Sequence, residues 1–325
     1  VEVLGIEIPL EIYAYSSPQF NAACFKPEEG RLFVMFSSSL LEAFDEQELL
    51  FVMGHEFGHH LYNHHDIPIG YLLQGQERPA ADLVLDLFAW SRYAEISADR
   101  AGAWCAADFD AVARALFKLA SGLRDDSVVR FSIDDFLRQL DEMQAQDAEP
   151  GQGAPIQDWF STHPFSPLRV RALELFHRSA LMREGGDDRS TLESGVQGLM
   201  SLMEPDYMEG KTSVAKTMRL LFLAGAVAVA DALDGISKAE EQVIKEFLGP
   251  RFALDSLNVE KLVDTLPERV ASTREQASAT QCMQVLRDLC TVSRAEAETR
   301  PEEIAVLRGI ADGLGIPRGF VTQCL

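Results

Sequence analysis

The sequence predicts an α+β, mainly α protein, with a small sheet and helices in its first half and only helices in its second. Three observations carry this. Residues 1–44 are rich in Val, Ile, Tyr and Phe and are interrupted by Pro9, Pro18 and Pro27, the pattern of short strands between turns. Most of residues 45–183 and all of 211–325 repeat their apolar positions at helical spacing. Between them, Glu184-Gly185-Gly186-Asp187-Asp188 breaks the pattern. The expected organisation is a domain over 1–183, a linker over 184–210 and a helical domain over 211–325. A chain of 325 residues is long enough for two cores.

The elements follow in order. Glu28-Glu29-Gly30 is a turn signal between residues 21–25 and 31–36, which predicts a hairpin. Residues 45–65 read as a helix, with an acidic first turn in Asp45-Glu46-Gln47-Glu48 and an apolar body in Leu49, Leu50, Val52, Met53 and Phe57. Pro68 and Gly70 place a loop over 66–78. Residues 79–107 read as one long helix with Pro79 near its start. Residues 108–145 are helical in two pieces, 147–157 form a flexible insert around Pro150 and Pro155, and 166–183 are a further helix.

Composition narrows the function. The formal charge is −22, with 47% hydrophobic and 25% charged residues, which suits a soluble globular protein and disfavours nucleic acid or an anionic membrane as partner. No apolar run reaches bilayer length, so no transmembrane segment is expected; residues 220–230 come nearest and run into Asp231 and Asp234. No basic and apolar leader opens the chain, so a cytoplasmic setting is expected, although a start at Val1 is compatible with a removed leader. Five cysteines without paired spacing read as reduced thiols.

The chemistry gathers in residues 54–65, where His55-Glu56-Phe57-Gly58-His59 is an H-E-x-x-H box. Residues four apart share one helix face, so His55 and His59 can bind one zinc ion with Glu56 beside them as base. Glu95 and Asp99 form a second i, i+4 pair, 36 positions beyond His59, room enough for a turn and another helix. Two His plus Glu95 leave zinc a fourth position for water, the catalytic arrangement, so one Zn²⁺ per chain is expected. Alone, the Glu95–Asp99 pair would read as a solvated acidic face.

With Ser161-Thr162-His163-Pro164 and Arg169 added, residues 15–180 resemble the zinc metallopeptidases of the HtpX, Oma and CAAX-prenyl-protease type, peptidase family forty-eight among the gluzincins. The resemblance implies a zincin-like core: a small sheet with a metal helix and a glutamate helix below it. It implies His55, His59 and Glu95 as metal ligands and Glu56 as the general base that activates water and then protonates the leaving amine. Asp99 would orient a ligand imidazole through its other ring nitrogen. Arg169 matches the family's arginine one segment later. The hairpin before the metal helix would supply an edge strand for the substrate backbone, at Asn21 and at Arg31, Phe33 and Met35. Phe165 stands where the family often has a second Pro.

His163 keeps several readings. It can donate to the oxyanion of the tetrahedral intermediate. As a neutral imidazole it can instead take the fourth position on zinc and silence the site, or it can be a loop histidine without a part. Loop and insert together would gate the metal. His60 points about 100° from His59. His64, nine positions after His55, falls nearly opposite on an ideal helix; it matches a position where the family often carries His, and a core or capping role is the reading preferred. His65 and His177 read as surface groups, and Cys105 as packing.

In the second half, an apolar helix, the turn Asp234-Gly235-Ile236-Ser237 and an amphipathic helix form a hairpin, with Ser237 and Glu240 as a capping box. This segment and residues 300–316 resemble the TerB-like (tellurite-resistance-type) helical domain, which implies a regulatory or protein-interaction module. Asp231, Asp234, Glu240 and Glu241 can bind a divalent ion, or simply cap and solvate helices. The leading expectation is a soluble zinc metalloendopeptidase acting on protein or peptide substrates through zinc-activated water. The alternative is a gated or inactive zincin-fold binding or chaperone-like protein with His163 on the metal. A structural-zinc protein is disfavoured by Glu56 and by ligands other than Cys.

Overall fold

A computed structural model of the protein describes residues 2–73, 81–124, 131–147, 163–204, 207–208, 212–233, 235–249, 252–254, 257–296 and 299–325. The chain divides into two compact units, Val1–Asp141 with Phe160–Leu192, and Glu142–Trp159 with Glu193–Leu325. Pro79, Ser161, Thr162, Asp234 and, apart from Asp147, the expected insert over 147–157 lie outside the described residues.

The first unit opens with strands β1 (Leu10–Tyr15), β2 (Ala22–Glu28) and β3 (Arg31–Ser37). Glu29 and Gly30 both have positive φ, 50° and 74°, the tight two-residue turn whose twist matches paired strands. β2 and β3 pair antiparallel, with Ala22 opposite Phe36 and Cys24 opposite Val34. β1 pairs parallel to the far side of β3, Leu10 to Leu32 through Tyr15 to Ser37. The order is therefore β1-β3-β2. Cys24, Leu32, Val34 and Phe36 bury one face of the sheet.

That order corrects one expectation. Arg31, Phe33 and Met35 lie on the central strand, whose backbone is engaged on both sides. The sheet's edges are β1 and β2, and it is β2, with Asn21 just before it, whose edge reaches the metal helix. The hairpin was legible, but the distant parallel partner β1 was not, and it is β1 that turns β3 into an interior strand.

Helix α1 (Ser38–Ala43) follows, then α2 (Glu46–Leu61), capped reciprocally by Asp45 and Glu48. Glu48 is fully buried and accepts from Lys118 at 2.6 Å and Arg114 at 3.3 Å, which pins the start of α2. The helix expected to reach residue 65 ends at Leu61. Asn63 takes the left-handed conformation that commonly closes a helix, with φ 57°, and His64–Asp66 form a 3₁₀ turn. The segment expected as a loop over 66–78 holds α3 (Ile69–Leu73), and α4 (Ala81–Ala106) is the long helix expected after it.

α2 and α4 lie against one another at glycine. A Cβ on Gly58 would stand 2.9 Å from Ala98 Cα, and one on Gly102 would stand 2.6 Å from Phe51 O. Only glycine permits that approach. Helices α5 (Phe109–Ser121), α6 (Ile133–Asp147) and α7 (Ser166–Arg178) complete this part of the chain.

The stretch expected as a linker contains α8 (Arg189–Met200), started by Asp188 accepting from Thr191 N at 2.7 Å and buried through Leu192, Val196, Leu199 and Met200. Its apolar spacing is helical, and the Gly-Asp run before it is a helix start. The second unit is built on α9 (Ser213–Ala230), surrounded by α10 (Lys238–Leu248), α11 (Val259–Gln276), α12 (Ala279–Ser293), α13 (Pro301–Leu314) and α14 (Arg318–Cys324). α9 has 18 residues and is apolar enough by composition to cross a membrane, yet 61% of it is buried here. Leu221, Phe222, Val227 and Val229 pack with Leu286, Leu289, Leu307 and Ile310 in one core. The expected capping box is present, with Glu240 Oε2 accepting from Ser237 N at 2.8 Å. All five cysteines are free thiols.

Candidate metal centre

The close α2–α4 packing turns two separate i, i+4 pairs into one constellation. α2 presents His55, Glu56 and His59; α4 presents Glu95 and Asp99. His55 Nε2 and His59 Nε2 are 3.2 Å apart. Glu95 Oε2 is 3.5 Å from His55 Nε2, and Glu95 Oε1 is 3.4 Å from His59 Nε2. One ligand atom from each residue lies within 4.8 Å of the others. Tetrahedral zinc with bonds of about 2.0–2.1 Å would separate its ligands by about 3.3 Å. The nitrogen–nitrogen separation and each nitrogen's distance to its nearer Glu95 oxygen therefore match the edge of such a tetrahedron. Glu95 is 6% exposed, and its Oε2 is buried without a hydrogen-bond partner, an oxygen that a cation would satisfy. Nitrogen and carboxylate donors of this kind suit zinc.

Around the cluster, Asp99 is fully buried and its Oδ1 lies 2.9 Å from His55 Nδ1. Arg169, on α7, donates to Asp99 from Nε at 2.8 Å and from Nη2 at 2.6 Å. Its Nη2 also comes within 3.6 Å of Glu95 Oε2. His163, just before α7, is 62% exposed, with Nε2 at 3.6 Å from Glu95 Oε2; it stands outside the three-residue group. Glu56 accepts at Oε2 from the backbone N–H of Cys24 at 2.9 Å, so the free edge of β2 runs beside it. A cleft of about 290 Å³ opens here, lined by Asn21, Ala22, His55, Glu56, His163 and Arg169, among others.

Burial and neighbouring charge set the protonation states. Burial, helped by the positive charge on His55, pushes His59 down to about 2, so its ring stays neutral. Burial opposes charge on His55 as well, but the hydrogen bond it donates to Asp99 and the charges of Glu95 and Asp99 outweigh it and raise its pKa. Glu56 is raised, chiefly by burial, against the partial relief of His55 and the Cys24 amide. Asp99 is held well below the carboxylate range, since Arg169 and His55 overcome the cost of burial.

Two participants escaped the sequence reading, the Cys24 amide and Ser97, and a third, His64, was read as a core or capping group. His64 Nδ1 lies 3.0 Å from His59 Nδ1, and its Nε2 lies 3.2 Å from Ser97 Oγ. The reading of His64 as a core or capping group assumed a helix running through it. Asn63 ends the helix and folds His64 back beneath His59, and an Asn directly after an apolar helix was the available signal.

The family model described as Peptidase family M48 matches residues 3–74 and 79–176. Among curated proteins, the plastoglobule-localized metallopeptidase 48, chloroplastic, of Arabidopsis thaliana is 29% identical over 195 residues, 55% of this chain and 54% of that protein. The chain thus spans about half the length of this relative. No solved structure matches the chain. The matched segments cover more than half of the residues and include both motif helices, Cys24 and Arg169, and on that basis the chain belongs to peptidase family M48, a family of metallopeptidases.

Proposed function

We propose that the protein is a zinc-dependent endopeptidase of the HtpX, Oma and CAAX-prenyl-protease type, with one zinc held by His55, His59 and Glu95. The observation that carries this is the convergence of His55 Nε2, His59 Nε2 and the Glu95 carboxylate: the two nitrogens stand 3.2 Å apart, and each has one of the two Glu95 oxygens at 3.5 or 3.4 Å. Zinc bound there supplies Lewis acidity, polarising the scissile carbonyl and making water more acidic. Glu56 takes the proton of the attacking water and returns it to the leaving amine. Its raised pKa moves it towards the range where one group can serve as both base and acid. Asp99 holds His55 by its Nδ1, and Arg169 holds Asp99.

A substrate strand adding to the free edge of β2 would bring its backbone past Glu56, which Cys24 N–H already touches. His163 at the cleft mouth donates to the developing oxyanion. The gated alternative draws on the approach of His163 Nε2 to Glu95 Oε2, from where a small shift would put that nitrogen on the metal. The helical second unit, in its TerB-like reading, is a regulatory or partner-binding module; its central apolar hairpin and capping box support that.

The test is cleavage of casein by the zinc-loaded full chain beside Glu56→Gln. Cleavage that disappears in Glu56→Gln while one zinc stays bound is the expected result. Cleavage that survives the substitution overturns the mechanism. Silence from the wild type with one zinc bound, relieved by His163→Ala, favours the gated form.

A further inference from the structure

The two imidazoles of the cluster are supported differently. His55 turns its Nδ1 to a carboxylate, Asp99. His59 turns its Nδ1 to a third histidine, His64, at 3.0 Å. Two imidazole nitrogens at that distance share a single hydrogen, so one must donate and the other accept. The far side of His64 decides which. Its Nε2 faces Ser97 Oγ at 3.2 Å, and Ser97 Oγ has the carbonyls of Ala94 and Tyr93 as acceptors at 2.9 and 3.1 Å, the nearer being Ala94. A hydroxyl has one hydrogen, and this one is committed to the α4 backbone, so towards His64 the oxygen accepts. His64 then carries its hydrogen on Nε2 and presents a lone pair at Nδ1. His59 donates Nδ1–H into it, and the lone pair of His59 falls on Nε2, the nitrogen facing His55 and Glu95. The ring of Trp90 packs edge-on against His64, 5.7 Å between centroids at 87°, and Asn63 fixes the backbone before it.

We propose that His64 and Ser97 are positioning residues for metal binding: a neutral relay from the α4 backbone sets the tautomer and tilt of His59. This rests on the reading of His55, His59 and Glu95 as zinc ligands. Outer partners of a ligand histidine of this kind typically account for 10–100-fold in metal affinity. The relay differs in kind from Asp99, because it orients an imidazole without adding a negative charge to the site.

The experiment measures zinc affinity by competition with a chromophoric chelator, and the visible spectrum of the cobalt-substituted protein, on the full chain. The variants are His64→Leu, His64→Asn, Ser97→Ala and His59→Ala. His64→Leu fills similar space without ring nitrogens and should lose about 10–100-fold in zinc affinity and alter the cobalt spectrum. His64→Asn places an amide oxygen where Nδ1 accepts and should recover most of that loss. Ser97→Ala, which frees the tautomer of His64, should lose a few-fold. Wild-type affinity in His64→Leu overturns the proposal. Equal weakening in His64→Asn and His64→Leu also overturns it, because the ring would then be only a spacer. Should His64→Leu fail to fold, Ser97→Ala and His64→Asn decide alone: unchanged affinity and spectrum in Ser97→Ala with full loss in His64→Asn rejects the relay. A wild type that binds no zinc, or a His59→Ala that binds as well as wild type, rejects instead the zinc-site reading beneath it.

Discussion

Replacing Arg169 with Met should destabilise the first unit severely, and the size follows from the surroundings of Asp99. That carboxylate is 0% exposed and Arg169 is 8% exposed, so water can compensate neither. The substitution removes two charge-assisted hydrogen bonds, at 2.6 and 2.8 Å, and leaves a buried negative charge with, among the described residues, only His55 hydrogen-bonded to it. Breaking one side of a buried pair costs about 3–5 kcal/mol. For a unit of this size each kcal/mol moves the melting temperature by about 2–4 °C, so a drop of roughly 6–20 °C is expected. Calorimetry of the metal-free full chain is the assay, and the transition in which the first unit melts is the one expected to move. Removing both charges, in Asp99→Leu with Arg169→Met, should recover most of the loss, since no uncompensated ion remains. A shift below about 2 °C in Arg169→Met, or a double variant melting as low as the single one, would refute the reasoning.

Two further outcomes test the same site from other directions. Gly102→Ala drives a Cβ to 2.6 Å from Phe51 O, a backbone atom that cannot turn aside, so α2 and α4 must separate; a stability loss of about 1–3 kcal/mol by denaturant unfolding and weaker zinc binding should appear together. Zinc must displace the proton that His55 holds more tightly than an ordinary histidine of pKa 6.5; measured in Glu56→Gln to silence that carboxyl, affinity should begin to fall with decreasing pH while still above 6.5, and an onset below 6.5 would contradict the raised value.

What the sequence made legible was periodic. The i, i+4 spacing of His55 with His59 and of Glu95 with Asp99 places each pair on one helix face, and the acidic start of α2 carries its own cap. Distances between elements were harder to see. That α2 and α4 touch is written in Gly54, Gly58 and Gly102, but glycine inside a helix signals a close approach only once the partner is known. The place of Arg31, Phe33 and Met35 depends on a parallel strand 16 or more residues upstream, a pairing no local pattern encodes. His64 was misplaced because one left-handed Asn ended the helix sooner than its apolar run suggested. In α8, Leu192 and Val196 are spaced for a helix, yet the Gly-Gly-Asp-Asp run before them looked like a linker when it also opens a helix.

The charges around the cluster give a reason for these particular protonation states. Glu56, Glu95 and Asp99 bring three carboxylates into one partly dry site, and among the described residues facing them Arg169 is the permanent cation. Two negative charges are left over. The groups whose pKa rises are His55 and Glu56, and each rise favours taking up one proton. A divalent cation supplies two positive charges at the one point where His55, His59 and the Glu95 carboxylate converge. Arg169 makes this balance: without it three carboxylates would face one divalent ion, one negative charge more than the ion offsets.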